Sequence, residues 1–235
     1  DASFFCFHCR DPKYLKEIQP ESNWGYHDYR DADIANYVAA AERVAERGHI
    51  ALRMGAVVGK PVHSTSRSVL DYARNYRCDF MDIYLGAKCR FLLTCDTGIS
   101  IVPEVFKRPV VYANFVPIAR PSTWVRDALI IPKKLFLRNE ERLMTFSEIV
   151  DSGLGVAGDS SQFEELGVEI RENTPEEITA VAIEMEDRIS GTWEYGGDDE
   201  KLQDEVWSIL GVGNRRSPGF RFGAQFLRDN AALVS

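Results

Sequence analysis

Short apolar runs alternate with longer amphipathic ones along most of this chain. Ser3 to His8 (SFFCFH) reads as an aromatic strand. Asp31 to Arg47 reads as a helix, because Ile34, Tyr37, Val38, Ala41, Val44 and Ala45 recur at the spacing of one helical face. Gly48 is placed to close it as a C-terminal glycine. Ile50 to Met54 is the next strand, and Gly55 turns the chain. Ser68 to Asn75 and Asp79 to Gly86 read as short helices. Arg90 to Cys95 (RFLLTC) reads as a buried strand, Gly98 to Phe106 as the start of a helix, and Pro109 to Ala113 as a strand. Strands that are apolar throughout, separated by helices, predict a parallel sheet covered on both faces.

The second half is less regular. Asn114 to Leu137 reads as a long irregular connection carrying Pro117, Pro121 and Pro132, a length that in a compact domain often serves function. Met144 to Ser152 is predicted helical and Val168 to Arg171 a strand. Thr174-Pro175-Glu176-Glu177 opens a helix that runs to about Ser190, with a capping threonine, proline in the first position and acids in the first turn. Asp199 to Leu210 is predicted as another helix, Gly211 to Gly219 as a loop, and Phe222 to Leu233 as a final amphipathic helix. No internal repeat, low-complexity segment or domain boundary is visible. The expectation is an α/β fold with a Rossmann-like parallel sheet, as one domain over residues 1–235.

Composition narrows this picture. Of the 235 residues 45% are hydrophobic and 27% charged, ordinary for a globular protein. No apolar run approaches the roughly 18 residues that span a bilayer. A formal charge of −8 disfavours a nucleic-acid partner, while an anionic small molecule remains compatible if arginines gather in one cleft. The five cysteines are odd in number and most lie in apolar runs, which suggests reduced thiols and a cytoplasmic location. Cys6 and Cys9 form a C-x-x-C near His8 and His27, a conceivable zinc site. A strand would, however, put Cys9 on the face opposite Cys6 and His8, so small buried residues are expected there and no metal. The chain begins at Asp1 rather than Met and reads as a piece of something longer.

Three junctions join a strand end to a polar loop, and in doubly wound sheets ligands bind beyond the carboxyl ends of strands. The first is His8-Cys9-Arg10-Asp11. Arg10 is placed to clamp a phosphate with its planar fork, with a surface ion pair to Asp11 as the plainer alternative; His8 reads equally as a satisfied core residue. The second is Arg53-Met54-Gly55, where Gly55 permits a close backbone approach and Arg53 could reach the same anion, or simply make a turn. The third runs from Thr94 through Asp96, Thr97, Gly98 and Ser100 to Glu104. Free amides at that helix start favour a phosphate, Thr97 and Ser100 add hydroxyls, and Glu104 could accept from a ribose; ordinary capping is the competing explanation. Neither a P-loop nor a dinucleotide glycine motif is present. Asp79 and Asp82, three apart on a predicted helix, could hold a metal or act as acid and base, or be a capping and a solvated aspartate.

Several segments are similar to a group of glycosyltransferases of bacterial surface-polysaccharide gene clusters: FCFHCRDPKYL, YHDYRDADIANY, ERGHIALRMG, the long block DYARNYRCDFMDIYLGAKCRFLLTCDTGISIVPEVFKRPVVYANFVPI, and FGAQFLRDNAALV. The likeness spans about Phe4 to Val234. It implies the C-terminal, donor-binding half of a two-domain GT-B enzyme, with the last helix, about 222–234, leading toward an N-terminal partner domain. A more distant likeness is to GT-B fucosyltransferases, whose H-x-R-R-x-D motif is echoed by His8, Arg10 and Asp11 with one arginine missing and the aspartate closer.

The resemblance implies transfer of a sugar from a nucleotide-sugar donor to a glycan or lipid-linked glycan acceptor. It implies cytoplasmic action, or action at the periphery of the inner membrane, and no metal or other cofactor. Donor binding falls on His8, Arg10, Arg53, Gly55, Thr97, Gly98, Ser100 and Glu104. Asp11 and His27 are the candidates for a catalytic base. A nucleotide-sugar epimerase or hydrolase on the same fold, and a non-catalytic nucleotide- or glycan-binding module, are the alternatives.

Overall fold

The apolar runs become strands and the amphipathic runs become the helices that cover them. In chain order the strands are β1 (Phe4–Phe7), β2 (Ile50–Arg53), β3 (Val69–Leu70), β4 (Leu92–Thr94), β5 (Val110–Phe115), β6 (Asp127–Pro132), β7 (Lys134–Leu137), β8 (Arg142–Leu143), β9 (Val168–Arg171) and β10 (Gly219–Phe222). The helices are α1 (Pro12–Ile18), α2 (Ala35–Ala45), α3 (Tyr72–Asn75), α4 (Asp79–Lys88), α5 (Ile101–Val105), α6 (Phe146–Asp151), α7 (Ser160–Glu165), α8 (Pro175–Ser190), α9 (Asp199–Ile209) and α10 (Ala224–Asp229). The computed structural model describes residues 2–122, 124–211 and 217–234.

Seven strands form one sheet in the order β3-β2-β1-β4-β5-β6-β10. Every pairing in it is parallel. The fold is therefore α/β and Rossmann-like, and its first six strands have the doubly wound order, which reverses direction between β1 and β4. A separate three-stranded antiparallel sheet, β8-β7-β9, flanks it.

β1 shows why the sheet is covered on both sides. Phe5, Phe7 and Cys9 enter the main core beneath α2 and α8, where Tyr37, Ala41, Ile178 and Ala182 are fully buried. Cys6 enters a smaller cluster with Tyr72, Leu85 and Cys89 under α3 and α4. This is the two-residue period of a strand, and it sends the two cysteines of the C-x-x-C into different cores. Phe5 stacks on Phe91 with ring centroids 5.0 Å apart. Full burial of Phe5 or Phe7 contributes about 1.5–3 kcal/mol each.

Several boundaries differ from the sequence expectation. The stretch Asn114 to Leu137 is not irregular: it contains β6, inserted between β5 and β10, and β7. Its prolines obscured a buried run, yet Pro132 is the last residue of β6, past the register irregularity between Tyr112 and Phe115 of β5, where proline is tolerated. Ser68 to Asn75 is a short edge strand, β3, followed by α3. Phe222 to Leu233 is not one helix. Phe222 ends β10, α10 follows, and a 3-10 turn spans Ala231–Leu233. Phe220 and Phe222 pack against Trp207 of α9, and Phe226 and Leu227 of α10 are buried in the main core of the same domain. Of the predicted loop Gly211 to Gly219, residues 212–216 lie outside the described residues, and Gly219 opens β10. Helix α2 starts at Ala35 rather than Asp31, because Asp31, Ala32 and Asp33 are engaged by other groups: Asp31 by Arg10, the Ala32 amide by the Arg10 carbonyl, and the Asp33 amide by Glu172. Gly48 ends it with φ +94°, as the pattern required.

Candidate functional site

The carboxyl ends of β1 and β4 lie side by side, with Cys6 opposite Leu92 and Phe7 opposite Leu93. Beyond them the chain leaves in two directions, which opens a crevice at the reversal point. A cavity of about 340 Å³ occupies it. Its polar lining comes from His8, Arg10 and Asp11 after β1, Gly55 after β2, Asp82 of α4, and Thr97 and Gly98 after β4. Leu15, Ile83, Ile99 and Val102 supply an apolar wall.

Arg10 is held from two sides. Its amide donates to the Cys95 sulfur at 3.0 Å, which ties it to the end of β4. Its Nε donates to Asp31 at 2.9 Å. No hydrogen bond among the described residues takes its terminal nitrogens, so the two-pronged face of the guanidinium is available to an anion. Asp31 is itself supported by Lys133, which arrives from the end of β6 and donates from Nζ to the Asp31 carbonyl at 2.5 Å. Burial lowers the Lys133 pKa and raises that of Asp31, and the Arg10 charge opposes the rise.

The second wall is the turn after β4. Gly98 opens a 3-10 turn that continues into α5. A methyl group at Gly98 would meet nothing within 4 Å, so the backbone there faces open space. First-turn amides of a helix have no carbonyl behind them. Arg30, from the 3-10 segment Gly25–Arg30, clasps this turn by donating to the Asp96 carbonyl at 2.7 Å and to its carboxylate at 3.1 Å.

The third wall requires glycine. Gly55 has φ +145°, and a methyl there would sit 2.6 Å from Val58 Cγ1. The turn brings the Met54 carbonyl to 3.0 Å from His8 Nδ1. The carboxylates near the cavity already have partners. Asp11 caps α1 by accepting from the Lys13 amide at 2.9 Å and takes the Gly59 amide at 2.6 Å. Asp82 accepts from Tyr72 at 3.0 Å and from Arg77 at 3.0 Å, while Arg77 also binds Asp79 at 2.7 Å. The Asp79–Asp82 pair is thus bridged by a guanidinium.

Of the residues singled out from sequence, His8, Arg10, Asp11, Gly55, Asp82, Thr97 and Gly98 line the one cavity. Of the remaining donor-binding and base candidates, four lie outside its lining. Arg53 is 1% exposed and donates to Asp71 at 3.1 Å. The Ser100 hydroxyl donates back to the Thr97 carbonyl at 2.8 Å. Glu104 accepts from the Tyr112 hydroxyl at 2.5 Å, and burial together with that carboxylate drives the Tyr112 pKa upward. His27 lies 3.9 Å from the Tyr26 ring, and burial and the charges of Arg10 and Arg30 lower its pKa.

Sequence reasoning missed Arg30, Asp31 and Lys133, which hold the site in shape. Asp31 and Arg30 sit beside a predicted helix start, where a polar cluster reads as capping. Lys133 lay in the stretch taken as irregular. Among the described residues, no group of three or more His, Cys, Asp or Glu is placed to hold a metal ion, and no helix is long and apolar enough to cross a membrane. No protein-family model, curated protein or solved structure matches this chain, so the chemistry of the site is argued from its geometry.

Proposed function

We propose that this chain is the donor-binding domain of a glycosyltransferase of the GT-B type, binding a nucleotide-activated sugar and transferring the sugar to a glycan or lipid-linked glycan acceptor. The observation that carries the reading is the meeting of the Arg10 fork with the Thr97–Gly98 turn across one cavity at the sheet's reversal point. In this reading the diphosphate lies between Arg10 and the Gly98 amide, and the positive side chain stabilises the charge that grows as the nucleotide leaves. The apolar wall of Ile83, Ile99 and Val102 takes the flat face of the base. Both oxygens of Asp11 already accept backbone amides, so in this reading the base comes from a partner domain, and the acceptor enters from that side. The setting is polysaccharide assembly at the cytoplasmic side of the membrane.

Thermal unfolding in the presence of UDP, GDP, ADP, CDP and the matching monophosphates tests the reading, since a ligand that binds only the folded state raises the melting temperature. One diphosphate is expected to stabilise more than its monophosphate, and no shift with any of them counts against the proposal. A product assay with and without acceptor glycan then separates transfer from epimerisation or hydrolysis, and absence of turnover in both would leave a binding module.

A further inference from the structure

We infer that His8 sets the direction in which a ligand lies in the cavity: its Nε2, held as a bare acceptor by the Met54 carbonyl bound at the other side of the ring, takes a ligand hydroxyl and turns phosphate oxygens toward Arg10 and Gly98. A carbonyl oxygen can only accept, so the 3.0 Å contact between Nδ1 and Met54 places the proton on Nδ1. In a neutral ring the other nitrogen is then a lone pair. Among the described residues, His8 Nε2 has no hydrogen bond, and it is not among the buried polar atoms left without a partner. It therefore opens onto space, and the space that the ring lines is the cavity. The opposite edge is closed: a methyl on Gly55 would sit 3.5 Å from Nδ1 and 3.7 Å from Cε1.

The ring stays neutral at pH 7. Burial pushes the His8 pKa down to about 4; the Met54 bond opposes this, the Arg53 charge reinforces it and the Asp11 charge opposes it. A neutral imidazole offers no positive charge to a phosphate, and its lone pair repels an oxygen that carries no proton. Weak basicity also favours a hydroxyl anchor over a proton-abstracting base, whose pKa should lie near the working pH. The sequence pattern places His8 among the donor-binding residues, with a satisfied core histidine as the alternative; its bond to the Met54 carbonyl, just past β2, gives it the hydroxyl end. The nature of the ligand rests on the proposed donor site, but the state of the ring does not.

The test has two arms. Long-range proton–nitrogen NMR on the full chain, with the ring assigned by its loss in His8→Gln, reads the tautomer without any ligand. At pH 7 Nδ1 is expected to carry the proton and Nε2 to resonate as an unprotonated nitrogen; an Nε2–H tautomer or an imidazolium overturns the inference. The binding arm uses UDP, GDP, ADP, CDP, UDP-glucose and GDP-mannose, with their singly deoxygenated forms. His8→Asn keeps a donor for Met54 and deletes the distal acceptor, while His8→Gln restores an oxygen near the Nε2 position. The Asn variant is expected to bind the best probe about tenfold more weakly, and the Gln variant to recover most of the loss. One deoxygenated form should cost the wild type that same factor and the Asn variant nothing. Equal losses in both proteins for every deoxygenated form would overturn the inference. If no probe binds the wild type, the nucleotide reading fails, and the tautomer spectrum still decides the role of His8.

Discussion

Arg10 and Arg53 follow or end neighbouring parallel strands, each near a turn and each with an aspartate partner, and they do different things. Arg53 and Asp71 are closed in, with side chains only 2% and 10% exposed, and Asp71 also accepts the Val62 amide at 3.1 Å. Arg10 and Asp31 keep 16% and 22% exposure, and the aspartate takes only the inner Nε of the arginine. The first pair is an internal tie between β2 and the chain before α3. The second aims a guanidinium at a cavity. A buried ion pair is evaluated against the desolvation of both charges, so removing one partner leaves the other stranded. A partly exposed pair is partly screened by water, and its removal costs the fold less.

The largest expected effect follows from the closed pair. Arg53→Ala should lower folding stability by about 3–5 kcal/mol in urea titration, since it strands Asp71 beside the core. A loss under about 1 kcal/mol would erase the distinction between the arginines. Arg10→Ala should invert the balance. Its stability should fall by at most about 1 kcal/mol, while calorimetry should show the preferred nucleoside diphosphate binding more weakly by roughly 1.5–3 kcal/mol, the loss of a charge-assisted bond. Unchanged affinity would remove Arg10 from the site.

A smaller effect is expected from His8. Its folded pKa of about 4 lies below the ordinary histidine value of about 6.5, so in that window the unfolded chain binds a proton that the folded one refuses. Stability from this group is complete above pH 6.5 and falls as pH drops toward 4. The slope is at most about 1.4 kcal/mol per pH unit, and less because the ring is partly exposed. Subtracting the pH profile of His8→Gln isolates it; identical profiles would mean the ring is not held neutral. The smallest effect is predicted at Glu104, whose carboxylate is engaged by Tyr112 and lies outside the cavity lining. Glu104→Gln should change nucleotide affinity by less than about 0.5 kcal/mol. A loss as large as that of Arg10→Ala would bring Glu104 back to the ligand.

Much of the fold was legible in the chain. The aromatic run of Phe4 to Phe7, the helical spacing before Gly48 and the capping box at Thr174 and Glu177 each depend on neighbours a few residues away, and the structure contains all three. β6 and β10 were less legible. Pro132 at the end of β6 and Gly219 at the start of β10 read as turn residues, so in the sequence both strands merge into the loop or helix beside them.

The site divides along the same line. Sequence alone established that the ends of β1, β2 and β4 carry arginine, glycine and hydroxyl residues, because strand ends and turns are local features. Which of those side chains share a cavity was decided only by the tertiary structure. Arg53 found Asp71 at a sequence distance of 18, Arg10 found Asp31 at 21, and Lys133 reached Asp31 across 102 residues. Burial and partner choice come from contacts between distant segments, and no periodicity within one segment encodes them.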